Sequence, residues 1–173
     1  MKRIVTGARS WKVSLAIALI AVGCGDSSVN IERTEPEVIE DTTFAPSLDV
    51  DLGTMQELST GVYIKDLRIG DGEMVAAGRV TVSYRGWLTN GTEFDSGRFD
   101  FLLGNDEVIS GFEDGILGAT IPHTMYVGGT RLLVIPPNRA YGSRASGRIP
   151  AGSVLVFEIT ADALESDGSA PYF

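Results

Sequence analysis

The chain has 173 residues and a formal net charge of −9, which allows one ordinary domain with appendages and not a second full domain. Hydrophobic residues at 43% and aromatics at 8% are enough for a packed core, while 21 glycines and 7 prolines favour short strands and many turns. A surface this acidic repels phosphate backbones, so nucleic acid is not an expected partner.

The first charges, Lys2, Arg3, Arg9 and Lys12, are all basic, and the apolar run Val13 to Val22 follows them. That run is shorter than the about 20 residues a membrane-spanning helix needs, and its order of basic, apolar and then small residues is that of a secretory signal. Ala21-Val22-Gly23-Cys24 resembles the lipobox of bacterial lipoproteins, which implies that the cysteine is lipidated and becomes the new N-terminus. Cys24 is the only cysteine, so an intramolecular disulfide is impossible, and thiol catalysis would need a base near a chain terminus. Residues 1–23 are therefore read as a signal peptide and Cys24 as the lipid-bearing residue. Gly25 stands where an aspartate would imply retention at the inner membrane, so the expected location is a lipid anchor in the outer membrane, facing the periplasm.

From Gly25 to Ser59 the chain is acidic, polar and without apolar period, as in Asp26-Ser27-Ser28, Glu32 to Glu40 and Asp41-Thr42-Thr43. Such a composition cannot bury enough apolar surface to offset ordering, so residues 24–59 are expected to be a flexible tether. A chain starting near Gln56 is then expected to keep its full activity. Asp49 and Asp51 lack the further oxygen ligands and closing glutamate of a calcium loop, and no metal or cofactor is expected.

Order is expected from residue 60. Val62 to Leu67 suits an entry strand, closed by the turn Gly70-Asp71-Gly72. Val80-Thr81-Val82-Ser83-Tyr84 alternates apolar residues with small hydroxyls, the period of a half-buried strand. Asn90-Gly91, both tolerant of positive φ, supplies a hairpin turn, and Thr92-Glu93-Phe94 begins the return strand. From Glu107, the apolar residues Val108, Ile109, Phe112, Ile116 and Leu117 share a helical face that Gly118 stops and Asn105 or Asp106 caps. Arg131 to Ile135 and Val154 to Ile159 complete the strands. The pattern predicts an α+β domain over 60–164, one helix against an antiparallel sheet, with a tail at 165–173.

Five blocks carry a resemblance in order: Val82 to Leu88, Gly91 to Ser96, Glu107 to Gly115, Ile135 to Gly142 and Ile149 to Phe157. Their sequences, such as Gly91-Thr92-Glu93-Phe94-Asp95-Ser96 and Ala140-Tyr141-Gly142, resemble successive motifs of the FKBP-type peptidyl-prolyl cis/trans isomerases. The resemblance covers roughly 61–164 and implies a five-stranded antiparallel sheet wrapped around one short helix. It implies a proline-binding cup of Tyr84, Phe94, Phe99, Val108, Ile109, Phe112, Tyr141, Ile149 and Phe157, with Phe112 as its floor. The Ile109 N–H and the Tyr141 hydroxyl would hold substrate carbonyls, and Asp95 would orient partners and polarise the site without acting as a general base. Proline-containing polypeptides and macrolide inhibitors are the implied ligands, folding assistance in the cell envelope the implied role, and a monomer the expected state. A non-catalytic binding module or holdase on the same fold is the alternative.

Single residues carry little of this. Val108, Ile109 and Phe112 on a helix face are ordinary core by default, and Tyr141 beside Gly142 is ordinarily a loop anchor; their joint order carries the assignment. Three departures from the family pattern stand out. The floor is Phe112, where eukaryotic members often have tryptophan. The segment from Phe94 to Phe99 is short, which leaves Arg98 or water to pair with Asp95. Residues Ala119 to Thr124 form an apparent insertion holding His123, the only histidine, which is expected to be an exposed loop residue.

Overall fold

The computed structural model describes residues 35–118 and 123–166. Its centre is an antiparallel sheet of six strands: β1 (Gln56–Glu57), β2 (Tyr63–Arg68), β3 (Arg79–Leu88), β4 (Glu93–Leu102), β5 (Thr130–Ile135) and β6 (Leu155–Glu165). Their order across the sheet is β1-β2-β5-β6-β3-β4, and one helix, α1 (Ser110–Leu117), packs on one face. The α+β architecture matches the expectation. The sixth strand is the two-residue β1, which pairs Gln56 with Ile64 and Glu57 with Tyr63.

The long neighbours β3 and β6 run together from Arg79↔Glu165 to Leu88↔Leu155 and form the spine of the sheet. Period-2 alternation divides their side chains between two faces. Leu133, Ile135, Leu155, Phe157 and Ile159 join Val80, Val82, Phe101, Phe112 and Ile116 in the core beneath α1. Leu132, Val134, Val154 and Val156 point the other way and build a second core.

What covers that second face corrects the sequence reading. The stretch from Pro36 to Met55, expected as tether, lies across it as a strap with short 3-10 turns at Ile39–Asp41, Pro46–Leu48 and Leu52–Thr54. Ile39 and Leu48 are buried, and Phe44, Val50, Leu52 and Met55 pack beside them. Backbone bonds hold the strap in place: the Glu37 N–H donates to the Gly152 carbonyl at 2.8 Å and the Ala45 N–H to the Thr89 carbonyl at 2.8 Å. The Val154 N–H donates to Glu37 Oε2 at 2.7 Å, and the Tyr63 hydroxyl to Glu40 Oε1 at 2.9 Å. Burial first, and then the Glu40 carboxylate, push the Tyr63 phenol up to about 12. A sparse apolar set with no period is enough here because the sheet supplies the complementary surface. Cys24 and the signal-like segment lie outside the described residues.

Two local expectations also change. The β3–β4 hairpin is a three-residue loop: the Leu88 N–H donates to the Thr92 carbonyl and the Gly91 N–H to the Leu88 carbonyl, each at 2.9 Å. Only Gly91, at φ 86°, uses the left-handed region, while Asn90 accepts the Thr92 N–H on Oδ1 at 2.9 Å. The helix begins at Ser110, not Glu107. Ile109 caps it in an extended conformation (φ −60°, ψ 139°), and Asp106 takes φ 52°. Glu107 is drawn back toward the end of β4, accepting from the Leu102 N–H at 3.2 Å and from Asn105 Nδ2 at 2.9 Å, which unwinds the expected first turn. Gly118 stops the helix in the left-handed conformation, as expected. Of the insertion, residues 119–122 lie outside the description. His123 is half-buried, and its carbonyl accepts from Arg131.

Candidate functional site

A cavity of about 510 Å³ opens between α1 and the sheet, lined by Tyr84, Asp95, Phe99, Glu107, Val108, Ile109, Phe112, Tyr141 and Phe157. Each lining residue has a local reason for its place. Tyr84 lies on β3, Asp95 and Phe99 on β4, and Phe157 on β6, all turned toward the helix side by strand alternation. Because α1 starts late, Val108 lies in a bend and Ile109 in extended chain at its entrance. There the Ile109 N–H makes no hydrogen bond among the described residues.

Phe112, 3% exposed, is the floor. Phe157 meets it edge to face at 5.3 Å between centroids and Tyr84 at 6.2 Å, while Phe99 lies tilted to it at 6.0 Å. Edge-to-face packing of this kind fixes ring orientation beyond what area burial supplies. Gly86 is required under these rings, because a Cβ there would stand 2.6 Å from Phe94 Cζ and 2.8 Å from Phe157 Cε1.

The polar side of the cavity is equally specific. The Tyr84 hydroxyl donates to Asp95 Oδ2 at 2.6 Å, and the Ser96 N–H donates to Asp95 Oδ1 at 2.9 Å. Arg98, expected as a partner of Asp95, instead donates to Asp162 Oδ2 at 2.8 Å; its side chain stands on the opposite face of β4 from Asp95. Burial first, and then the hydrogen bond to Asp95, push the Tyr84 phenol up to about 12, so it remains a donor at neutral pH. Tyr141, 40% exposed, keeps a hydroxyl that makes no hydrogen bond among the described residues.

Eight of the ten side chains expected at the site are therefore brought together: Tyr84, Asp95, Phe99, Val108, Ile109, Phe112, Tyr141 and Phe157. Phe94 stands behind the wall, edge-on to Phe157 at 5.5 Å, and Ile149 is buried in the core beneath. Sequence reasoning missed Glu107, whose carboxylate is held below its ordinary range first by the Asn105 side chain and then by the Leu102 amide. It also missed Arg131, 1% exposed beneath the helix, which donates to Asp66 Oδ1 at 2.7 Å, the Gly115 carbonyl at 2.7 Å and the His123 carbonyl at 2.6 Å.

A six-stranded antiparallel sheet curled about one short helix, with an aromatic cavity between them, defines a fold class that known proteins share. The family described as FKBP-type peptidyl-prolyl cis-trans isomerase matches residues 70–161, and the chain belongs to it. An FK506-binding protein 4 of Chaetomium thermophilum is 48% identical over 104 residues, covering 57% of this chain and 20% of the relative. A peptidyl-prolyl cis-trans isomerase of Saccharomyces cerevisiae is 44% identical over 107 residues, covering 59% of this chain and 25% of the relative. This chain thus spans only about a fifth to a quarter of the curated relatives it matches. Among solved structures, AtFKBP13 is 35% identical with a TM-score of 0.60, covering 64% of this chain and 98% of its own. A Pseudomonas syringae peptidyl-prolyl cis-trans isomerase is also 35% identical, with a TM-score of 0.56 over 65% of this chain and 82% of its own.

Proposed function

We propose that the protein accelerates cis/trans isomerisation of Xaa-Pro bonds by taking the proline ring into the cavity above Phe112. The observation that carries this reading is the cavity wall itself: aromatic rings fixed edge to face over Phe112 and the aliphatic side chains of Val108 and Ile109, with the Asp95 and Glu107 carboxylates and the Tyr84 and Tyr141 hydroxyls as its polar groups. Rotation about an Xaa-Pro amide crosses a barrier of about 18–20 kcal/mol. Twisting the bond destroys amide resonance and lowers its charge separation, so an apolar, water-excluding cup favours the twisted state over the planar one. No bond is broken and no proton is transferred. Asp95 then serves to fix the Tyr84 ring in the wall. The Ile109 N–H and the Tyr141 hydroxyl, neither used within the described chain, are left to hold the substrate carbonyls. The same cavity is proposed to take macrolide ligands, in line with its similarity to FK506-binding proteins.

Tyr141→Phe removes one such donor without opening a cavity. It is expected to lower kcat/KM in a protease-coupled assay on Xaa-Pro peptides by about two- to tenfold, the worth of one ordinary hydrogen bond. An unchanged rate takes the hydroxyl out of the site.

We further propose that the protein works on folding chains in the cell envelope, lipid-anchored through Cys24 in the outer membrane and facing the periplasm. The support is the basic start, the apolar run and Ala21-Val22-Gly23-Cys24. Cys24→Ser is expected to abolish labelling by a fatty-acid analogue and to release the protein from membranes. Labelling that persists in the variant contradicts the anchor.

A further inference from the structure

The free edge of the sheet runs beside the cavity. β4 is last in the strand order, so one of its sides pairs with β3 and the other with no strand among the described residues. From Asp95↔Gly86 to Leu102↔Arg79 the register is unbroken, so successive residues turn their backbone groups alternately toward β3 and outward. Two bonds fix which residues face out. The Ser96 N–H donates to Asp95 Oδ1 and the Leu102 N–H to Glu107 Oε2, so from Ser96 to Leu102 the even-numbered residues turn their backbone groups away from β3. Between these two capped positions lie Arg98 and Asp100, whose outward amides make no hydrogen bond to a side chain among the described residues.

Natural sheets commonly blunt a free edge with charged side chains. Here those side chains are drawn back over the sheet. Arg98 reaches Asp162 on β6 at 2.8 Å, and Asp100 reaches Arg79 on β3 at 2.9 Å, so the edge keeps two open rungs. A route from the cavity leads to them. Asp95 and Phe99 line the cavity, and the residue between them on that face is Gly97, where even an added Cβ would come no nearer than 3.5 Å to the Tyr84 ring. A chain leaving the cavity can pass over this notch to the edge.

We propose that β4 receives the substrate chain as an added strand: with proline in the cavity, the extended segment flanking it exchanges backbone hydrogen bonds with Arg98 and Asp100. The inference rests on the reading of the cavity as a proline site and names its substrate class. Main-chain bonding is indifferent to flanking side chains, so the edge selects extended, unfolded segments over prolines held in tight turns.

Amide hydrogen exchange on the full chain tests this. A peptide of about ten residues with one central proline is expected to slow exchange at Arg98 and Asp100 by about tenfold or more, and a tetrapeptide with the same centre is not. N-methylation of the long peptide at every second residue on one side of the proline restores fast exchange, while methylation of the intervening residues does not. No protection by the long peptide, equal protection by both peptides, or protection insensitive to N-methylation overturns the proposal. So does protection that grows with protein concentration when peptide is absent, which marks β4 as a contact between two copies of this chain. The isomerisation rate is read separately: absence of turnover contradicts the proposed activity, while exchange at Arg98 and Asp100 still decides the edge.

Discussion

A chain that begins at Gln56 is expected to be less stable than the full chain by about 3–6 kcal/mol, from the loss of Ile39 and Leu48 alone at about 1.5–3 kcal/mol for each buried aliphatic side chain. Phe44, Val50, Leu52 and Met55 leave with them and add to the loss, while the conformational entropy recovered by the freed strap works against it. Removal also uncovers Leu132, Val134, Val154 and Val156, an apolar sheet face that favours self-association. Urea denaturation of the two chains reads the difference as a lower midpoint at similar slope. An unchanged midpoint returns residues 36–55 to the status of a tether. The strap lies on the face of the sheet opposite α1, so the shortened chain, where it is folded, keeps the cavity walls in place.

Arg131→Ala is expected to cost about 3–5 kcal/mol, the range for removing one partner of a buried charged network. The guanidinium is 1% exposed and ties the α1 carbonyl of Gly115 and the His123 carbonyl to β5. Without it both carbonyls lose their charged donor beneath the helix. Asp66, the remaining partner, has a side chain 41% exposed, so solvent screens it and Asp66→Asn is expected to cost about 1 kcal/mol or less. Thermal or urea denaturation of both variants separates the two contributions. Equal, small losses would show that the salt bridge, and not the pair of carbonyls, is what Arg131 provides.

The strap and Arg131 escaped the sequence for a shared physical cause: both depend on surfaces that only tertiary packing assembles. The strap was invisible because its own residues have no period; its burial depends on a partner surface assembled from β5 and β6. That surface did leave a trace in the sequence. Leu132-Leu133-Val134-Ile135 and Val154-Leu155-Val156-Phe157 are continuous apolar runs, the mark of strands covered on both faces, whereas Val80-Thr81-Val82-Ser83 alternates as a half-covered strand does. Arg131 left no trace, because two of its three acceptors are backbone carbonyls that tertiary packing brings within reach.

The site was more legible than the fold's margins. Tyr84, Asp95 and Phe99 follow from strand alternation, and Phe112 from a helix face, once the order of the blocks is recognised. The start of α1 was misplaced because Glu107 satisfies an edge amide of β4 instead of a helix end, a choice that depends on where β4 stops. The pairing of Asp95 with Tyr84 was missed for a related reason. Alternation puts Arg98 on the opposite face of β4, and the nearer donor comes from β3.

In the proposed mechanism this cavity works by lowering the polarity around a twisting amide and not by moving protons. The most direct measurement is the pH dependence of kcat/KM for an Xaa-Pro peptide. It is expected to be flat from about pH 6 to about pH 8, because the Tyr84 phenol, with its pKa raised from 10.0 to about 12, stays protonated and bonded to Asp95 throughout. The sign at high pH follows from the same shift. The bond is intact below the ordinary phenol value and is lost only as pH approaches 12, where a phenolate would face the Asp95 carboxylate. Asp95→Asn, which keeps an acceptor for the Tyr84 hydroxyl, is expected to retain measurable turnover. A bell-shaped profile within that range, together with a folded but inactive Asp95→Asn variant, would contradict the account and assign acid–base chemistry to the site.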